Sequence, residues 1–146
     1  MARAYYSTVF DESADQVWAA VRDFGNYRLW VDEVDESEVE EGRPGDAVGA
    51  VRRIRIGDTL IRQRLLAHSD LDRCYSYAFC GTPRFPVTHY VATLRITPVT
   101  EGERAFVEWW ASFDCATAEH DHWTSFFARS FGGWLGALRR RLAPSG

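Results

Sequence analysis

Apolar and polar positions alternate along most of the chain, and the period changes at places that can be read off directly. Residues 4–10, rich in Tyr, Thr, Val and Phe, predict a first strand. Ser13-Ala14-Asp15-Gln16 then has the form of a capping box, in which the Ser13 hydroxyl meets the Gln16 amide and the Gln16 side chain reaches back. Val17, Trp18, Val21 and Phe24 supply a helical apolar face and Gly25-Asn26 a stop, which predicts a helix over 14–24. A second short helical turn is expected over 27–31, followed by an acidic strand.

Gly42-Arg43-Pro44-Gly45 marks a turn, and strands are expected over 47–56, 59–67, 74–80, 87–98 and 105–114. Their short connectors favour an antiparallel meander. Period two gives each strand an inward set. These are Val48, Ala50, Arg52, Ile54 and Ile56; Ile61, Gln63, Leu65 and Ala67; Tyr75, Tyr77 and Phe79; Tyr90, Ala92, Leu94 and Ile96; and Val107, Trp109, Ala111 and Phe113. Trp110, His68 and His89 are expected to face outward.

From 119 to 142 the period becomes helical. At about 100° per residue Trp123, Phe126, Phe127, Phe131 and Trp134 share one face, continued by Leu135, Leu138 and Leu142. Acids in the first turn and Arg139, Arg140 and Arg141 in the last match the helix dipole. Gly132, Gly133 and Gly136 lie off the stripe and cost about 3 kcal/mol together relative to Ala. They serve either bending or the close approach of another backbone. An antiparallel sheet of about seven strands cannot hide an apolar face alone, so the predicted class is α+β, with the curved sheet wrapped around the long helix and two short helices after strand 1.

Composition sharpens this picture at one point. A chain of 146 residues fits one domain over 1–146, but 14% aromatics with six Trp is more ring surface than a small core needs. Large rings leave gaps unless something fills them, so the stripe either packs into a closed core or roofs a cavity. The formal net charge of −4 disfavours a phosphate-backbone partner, and most of the arginines read as solvated faces. Cys74, Cys80 and Cys115 show no paired spacing, so neither a disulfide framework nor a metal centre is expected. His120 and His122 diverge on a helix and make a poor metal pair. With no apolar leader and no long apolar run, a cytoplasmic chain without a membrane span is expected.

Several segments, taken in order, carry a resemblance. They are Ala14-Asp15-Gln16-Val17-Trp18 leading to Asp23-Phe24-Gly25-Asn26-Tyr27 and Trp30, and Gly45-Asp46 with Val48-Gly49-Ala50-Val51-Arg52. Arg62-Gln63-Arg64-Leu65, Pro86-Val87 with Tyr90 before Thr97-Pro98, and Trp109, Ala111, Phe113 and Asp114 continue the series. In that order the chain resembles the polyketide cyclase/dehydratase family of the START and birch-pollen-allergen superfamily, whose fold is called a helix-grip. The resemblance implies a deep apolar cavity between sheet and helix for a polyketide-, sterol- or lipid-like molecule. It implies no cofactor and does not fix a reaction, because such folds include enzymes, carriers, receptors and chaperone-activating domains. It also places 81–86, with Pro83, Arg84 and Phe85, where relatives often gate the cavity mouth.

Candidate chemistry sits at the polar members of the inward sets. Gln63 and Arg52 need a partner, a water or a ligand there, since burying such groups bare costs several kcal/mol. Arg52 holds either an enolate, carboxylate or phenolate oxygen of a ligand or the side chain of Glu36 or Glu38 on the neighbouring strand. Relatives often have Glu where Gln63 stands, so a carboxylate role there is in doubt. Tyr90 joins these two as a catalytic candidate, and Tyr75 and Tyr77 add hydroxyls on apolar bodies. The expected wall comprises Ile54, Leu65, Phe79, Val87 and Ala92 from the sheet, Trp109 and Phe113 from the last strand, and Phe127, Phe131 and Trp134 from the long helix. Each apolar position also has a plain core reading. The expected functions are therefore binding with cyclase/dehydratase-type turnover, passive carriage or sensing, or protein interaction, in a monomer or homodimer.

Overall fold

The structure, a computed structural model, describes residues 1–31, 33–81 and 85–144. Strand β1 (Ala2–Phe10) leads into helix α1 (Ala14–Val21) and a 3-10 turn at Tyr27–Leu29. There follow β2 (Glu36–Val39), β3 (Val51–Ile56), β4 (Thr59–Ser69), β5 (Cys74–Phe79), β6 (Thr88–Val99) and β7 (Arg104–Asp114), and last α2 (His120–Leu142). All strands pair antiparallel in one seven-stranded sheet of order β1-β7-β6-β5-β4-β3-β2. Helix α2 lies across β1 and β7, and α1 packs on β6 and β7. This is the helix-grip arrangement that the alternation and the long helical stripe predict.

The predicted capping box is present: Ser13 Oγ accepts from Gln16 N at 3.2 Å and Gln16 Oε1 accepts from Ser13 N at 2.9 Å. The helix it opens ends at Val21, three residues short of Phe24. Phe24 leaves the helix because its ring is buried against Tyr75 and Tyr77, while its N–H donates to the Gly45 carbonyl at 2.9 Å. A Cβ on Gly45 would collide with the Asp23 carboxylate, so the close approach of these two segments requires glycine there.

Two strands depart from the expected alternation. Strand β3 begins at Val51 because Gly49, at φ +92°, turns the chain, leaving Val48 exposed instead of inward. In β4 the register slips between Leu65 and Ala67, and this bulge inverts the faces beyond it. Ala67 is consequently exposed, and the His68 side chain, expected outside, is turned in at 7% exposure against the Trp18 ring. His89 and Trp110 do face outward, Trp110 stacking on Tyr5.

In β7 Val107, Trp109, Ala111 and Phe113 are all buried, as period two requires. Phe127 and Phe131 of α2 meet Phe113 and Trp109, the last pair stacked at 4.7 Å and 12°, and Leu135 and Leu138 are buried in the same core. Of the three helix glycines, Gly132 answers to the close approach of a side chain and not of a backbone, since a Cβ there would stand 2.8 Å from the Tyr6 ring of β1. Nothing in the structure explains Gly133 or Gly136. Arg139 is no solvated charge: its Nη1 donates to Val9 O at 2.8 Å and its Nη2 to Thr8 Oγ1 at 2.6 Å, tying the end of α2 to β1.

Candidate functional site

The sheet register sets Arg52 of β3 directly opposite Gln63 of β4, both on the inner face. Arg52 is 1% exposed and Gln63 8%. Arg52 Nε donates to Gln63 Oε1 at 2.8 Å and Nη1 donates to Phe24 O at 3.3 Å, while Nη2 has no partner among the described residues. The guanidinium is packed against the faces of Phe24, Tyr27 and Tyr77, at 4.0, 4.1 and 4.9 Å from their centroids. The acids on β2 do not reach it. Register places Glu36 opposite Arg55 and Glu38 opposite Arg53, and those are the ion pairs formed, at 3.0 and 3.6 Å. A buried cation is thus held by rings, one amide and one carbonyl, with no carboxylate beside it among the described residues.

This arrangement fixes the chemistry of its neighbours. Arginine only donates, so Gln63 must turn its oxygen to Arg52 and keep its amide N–H for the other side, where it lines a cavity. The Tyr77 oxygen accepts from Trp109 Nε1 at 3.1 Å and lies in hydrogen-bonding reach of the Tyr90 hydroxyl. Indole N–H only donates, so Tyr77 accepts from Trp109 and keeps its own O–H to donate. Burial pushes the phenols of Tyr27, Tyr77 and Tyr90 well up, a shift that the nearby Arg52 charge partly opposes. Tyr75 is raised by burial and lowered by Arg52 in the same way. All four are neutral donors at ordinary pH.

The cavity itself encloses about 500 Å³ between β3, β4 and β5 on one side and α2 on the other. Gln63, Tyr77 and Tyr90 form its polar floor; Ile56, Ile61, Phe79 and Phe85 form one apolar wall, and Phe126, Phe127 and Trp134 the other. Glu33 and Thr59 stand at the exposed rim, and the Ser130 hydroxyl, also on the lining, is bonded back to Phe126 O at 2.9 Å. An apolar enclosure of this volume with a few inward donors suits a small hydrophobic ligand.

Of the expected site residues, the structure brings Gln63, Tyr77, Phe79, Tyr90, Phe127 and Trp134 together on this cavity, with Arg52 one side chain behind the floor. Ile54, Leu65, Tyr75, Ala92, Trp109, Phe113 and Phe131 are fully buried in the packing around it and do not line it. Val87 lines a separate cavity next to β5 and β6. Pro83 and Arg84 of the expected gate lie outside the described residues, whereas Phe85 packs between Phe79 and the α2 rings.

Tyr27 and Trp30, absent from the expected set, belong to the same buried neighbourhood. Their rings meet at 5.1 Å, Tyr27 contacts Arg52 and Trp134, and the Tyr27 hydroxyl and Trp30 Nε1 are both buried without a partner among the described residues. The signal was present in the segments around Tyr27 and Trp30 that carry the family resemblance, although neither shows a periodic pattern. Elsewhere Asp46, His68 and Asp70 bring ligand atoms within 4.8 Å of one another. Arg22 already binds both carboxylates, at 3.1 Å to Asp46 and 2.9 Å to Asp70, so the chain supplies the positive charge at that cluster itself. Among the described residues no helix is long and apolar enough to cross a membrane.

Solved structures share this architecture over nearly the whole chain. A Thermobifida fusca protein is 26% identical with a TM-score of 0.86, covering 97% of this chain and 93% of its own. XoxI of Bacillus cereus is 28% identical with a TM-score of 0.83, covering 96% and 94%. The di-domain ARO/CYC BexL of the BE-7585A biosynthetic pathway matches over 97% of this chain and 46% of its own, with a TM-score of 0.80; at 17% identity it attests the fold alone. No curated protein matches. With the helix-grip sheet, the long closing helix and the apolar cavity between them goes a match of residues 1–143 to one family model, and the chain belongs to the polyketide cyclase/dehydrase and lipid transport family.

Proposed function

We propose that the protein binds a small hydrophobic, polyketide-like molecule in the cavity roofed by α2, and that it holds an enol or phenol oxygen of that molecule at the polar floor. The observation that carries this reading is the buried Arg52 with no carboxylate beside it among the described residues, set behind two side chains with an N–H or O–H to donate, Gln63 and Tyr77, that line an apolar space. Donors preorganised in a dry site stabilise an oxygen that gains negative charge, and a nearby cation adds to that. The ring walls restrict how a flexible chain of ketones can fold, which brings reacting carbons together. Enolate stabilisation with restricted folding is what a cofactor-independent cyclase or dehydratase requires.

Binding and turnover are separable by experiment. Native mass spectrometry of the protein purified from its own host is expected to reveal a retained small molecule. Titration with a hydroxylated anthraquinone is expected to quench tryptophan emission, since Trp134 lines the cavity. Failure of both overturns the binding reading. A changed product pattern from an aromatic polyketide chain supports the cyclase, whereas binding with unchanged products leaves a carrier.

A further inference from the structure

The cavity beneath α2 has a neighbour. Pairing between β5 and β6 runs from Cys74↔Arg95 to Ala78↔Val91 and stops there. Beyond that point β6 bulges between Thr88 and Val91, and His89 takes φ +54°. In the resulting gap lies a pocket of about 520 Å³, open to the outer side at Val91 and His89, which reaches from Ala78 and Val91 to Phe79 and Tyr90. The two cavities share three lining side chains, Phe79, Phe85 and Tyr90. Phe79 stands 4.7 Å from Tyr90 and 6.4 Å from Phe85, centroid to centroid, so the partition is a single layer of rings.

The three rings are not held alike. Tyr90 packs on Phe113 and Phe127, and its hydroxyl reaches Tyr77. Phe85 is wedged among Trp123, Phe126 and Phe127. Phe79, half-buried at the last position of β5, has only the other two partition rings as aromatic neighbours among the described residues. We propose that Phe79 is the specificity-determining residue that ends the inner cavity and limits ligand length. The outer pocket is then an apolar subsite for the tail of a longer ligand, shut off by this one layer of rings, of which Phe79 is the least held. This inference rests on the inner cavity being the binding site.

Calorimetric titration with para-alkylphenols of increasing chain, from butyl to dodecyl, tests it. In the wild type, affinity is expected to rise about fourfold per methylene until the inner cavity is full, and then to level off. Phe79→Ala is expected to extend the rise by several methylenes. Val91→Trp added to Phe79→Ala refills the outer cavity and restores the shorter limit. Phe79→Leu, a milder change, is expected to move the limit in the same direction and carries the test if the alanine variant fails to fold. A plateau at the same chain length in the wild type and in the folded Phe79 variants overturns the partition. A wild type that binds none of the phenols refutes the inner-cavity reading itself.

Discussion

Replacing Arg52 by Met separates what the guanidinium does for the fold from what it does for a ligand. The substitution removes a charged hydrogen bond at 2.8 Å, worth about 1.5–3 kcal/mol, and a longer one at 3.3 Å worth about 1 kcal/mol. It also removes face contacts with three rings, at roughly 1 kcal/mol each. Against this stands relief of the desolvation cost of a buried cation, several kcal/mol, and the apolar thioether that takes its place among the rings. The terms nearly cancel, so stability in urea, followed by tryptophan emission, is expected to change by no more than about 2 kcal/mol. Binding is expected to respond quite differently. A ligand oxygen that gains charge loses an attraction of about 2–3 kcal/mol, which weakens a hydroxylated anthraquinone roughly 30- to 150-fold in calorimetric titration. A loss of more than about 4 kcal/mol in stability, with unchanged affinity in the folded fraction, would show Arg52 to be a structural strut and refute the argument.

The buried phenols set an alkaline limit. Tyr27, Tyr75, Tyr77 and Tyr90 all have folded pKa values raised above the ordinary 10.0, so the native state holds their protons more tightly. Stability is therefore expected in full below about pH 10 and to fall above it, with their phenolate absorbance appearing only as circular dichroism is lost. Phenolate from all six tyrosines in a native protein would contradict this. In α2, Gly133→Ala meets open space and Gly136→Ala only an ordinary contact with Arg140, so each is expected to gain about 0.8–1 kcal/mol, or about 3 °C in Tm. Gly132→Ala must displace the Tyr6 ring and is expected to gain nothing or to lose stability; equal gains at all three positions in thermal melts would refute the close approach.

What was legible in the fold depended on whether one residue type could decide it. Ser13 and Gln16 announce their cap, and Val107 to Phe113 their inward face, because each pattern has a single low-energy reading. The end of α1 was not legible, since the pull on Phe24 comes from Tyr75 and Tyr77, some fifty residues away. Nor was the β4 bulge. Leu65-Leu66 offers two equivalent apolar residues, and only pairing with β5 decides that the first is buried and the second exposed. That one slip moves His68 from outside to inside.

Of the candidate site, the buried polar pair was legible, because Arg52 and Gln63 fall in apolar sets and burial forces a partner to be sought. The cavity was not, because its shape is a difference between the volumes of facing side chains. Trp109 and Phe131 fill their own space by stacking, while Phe126 and Phe85, no more apolar, are left facing a void. The same logic explains why the polar cluster persists. A core built only for stability gains nothing from a cation, a Tyr27 hydroxyl and a Trp30 N–H that lack a full set of partners among the described residues, each unmade bond costing about 1–3 kcal/mol. Under the proposed function, an acceptor oxygen of the ligand would lower that cost in the complex alone, and the difference would appear as affinity.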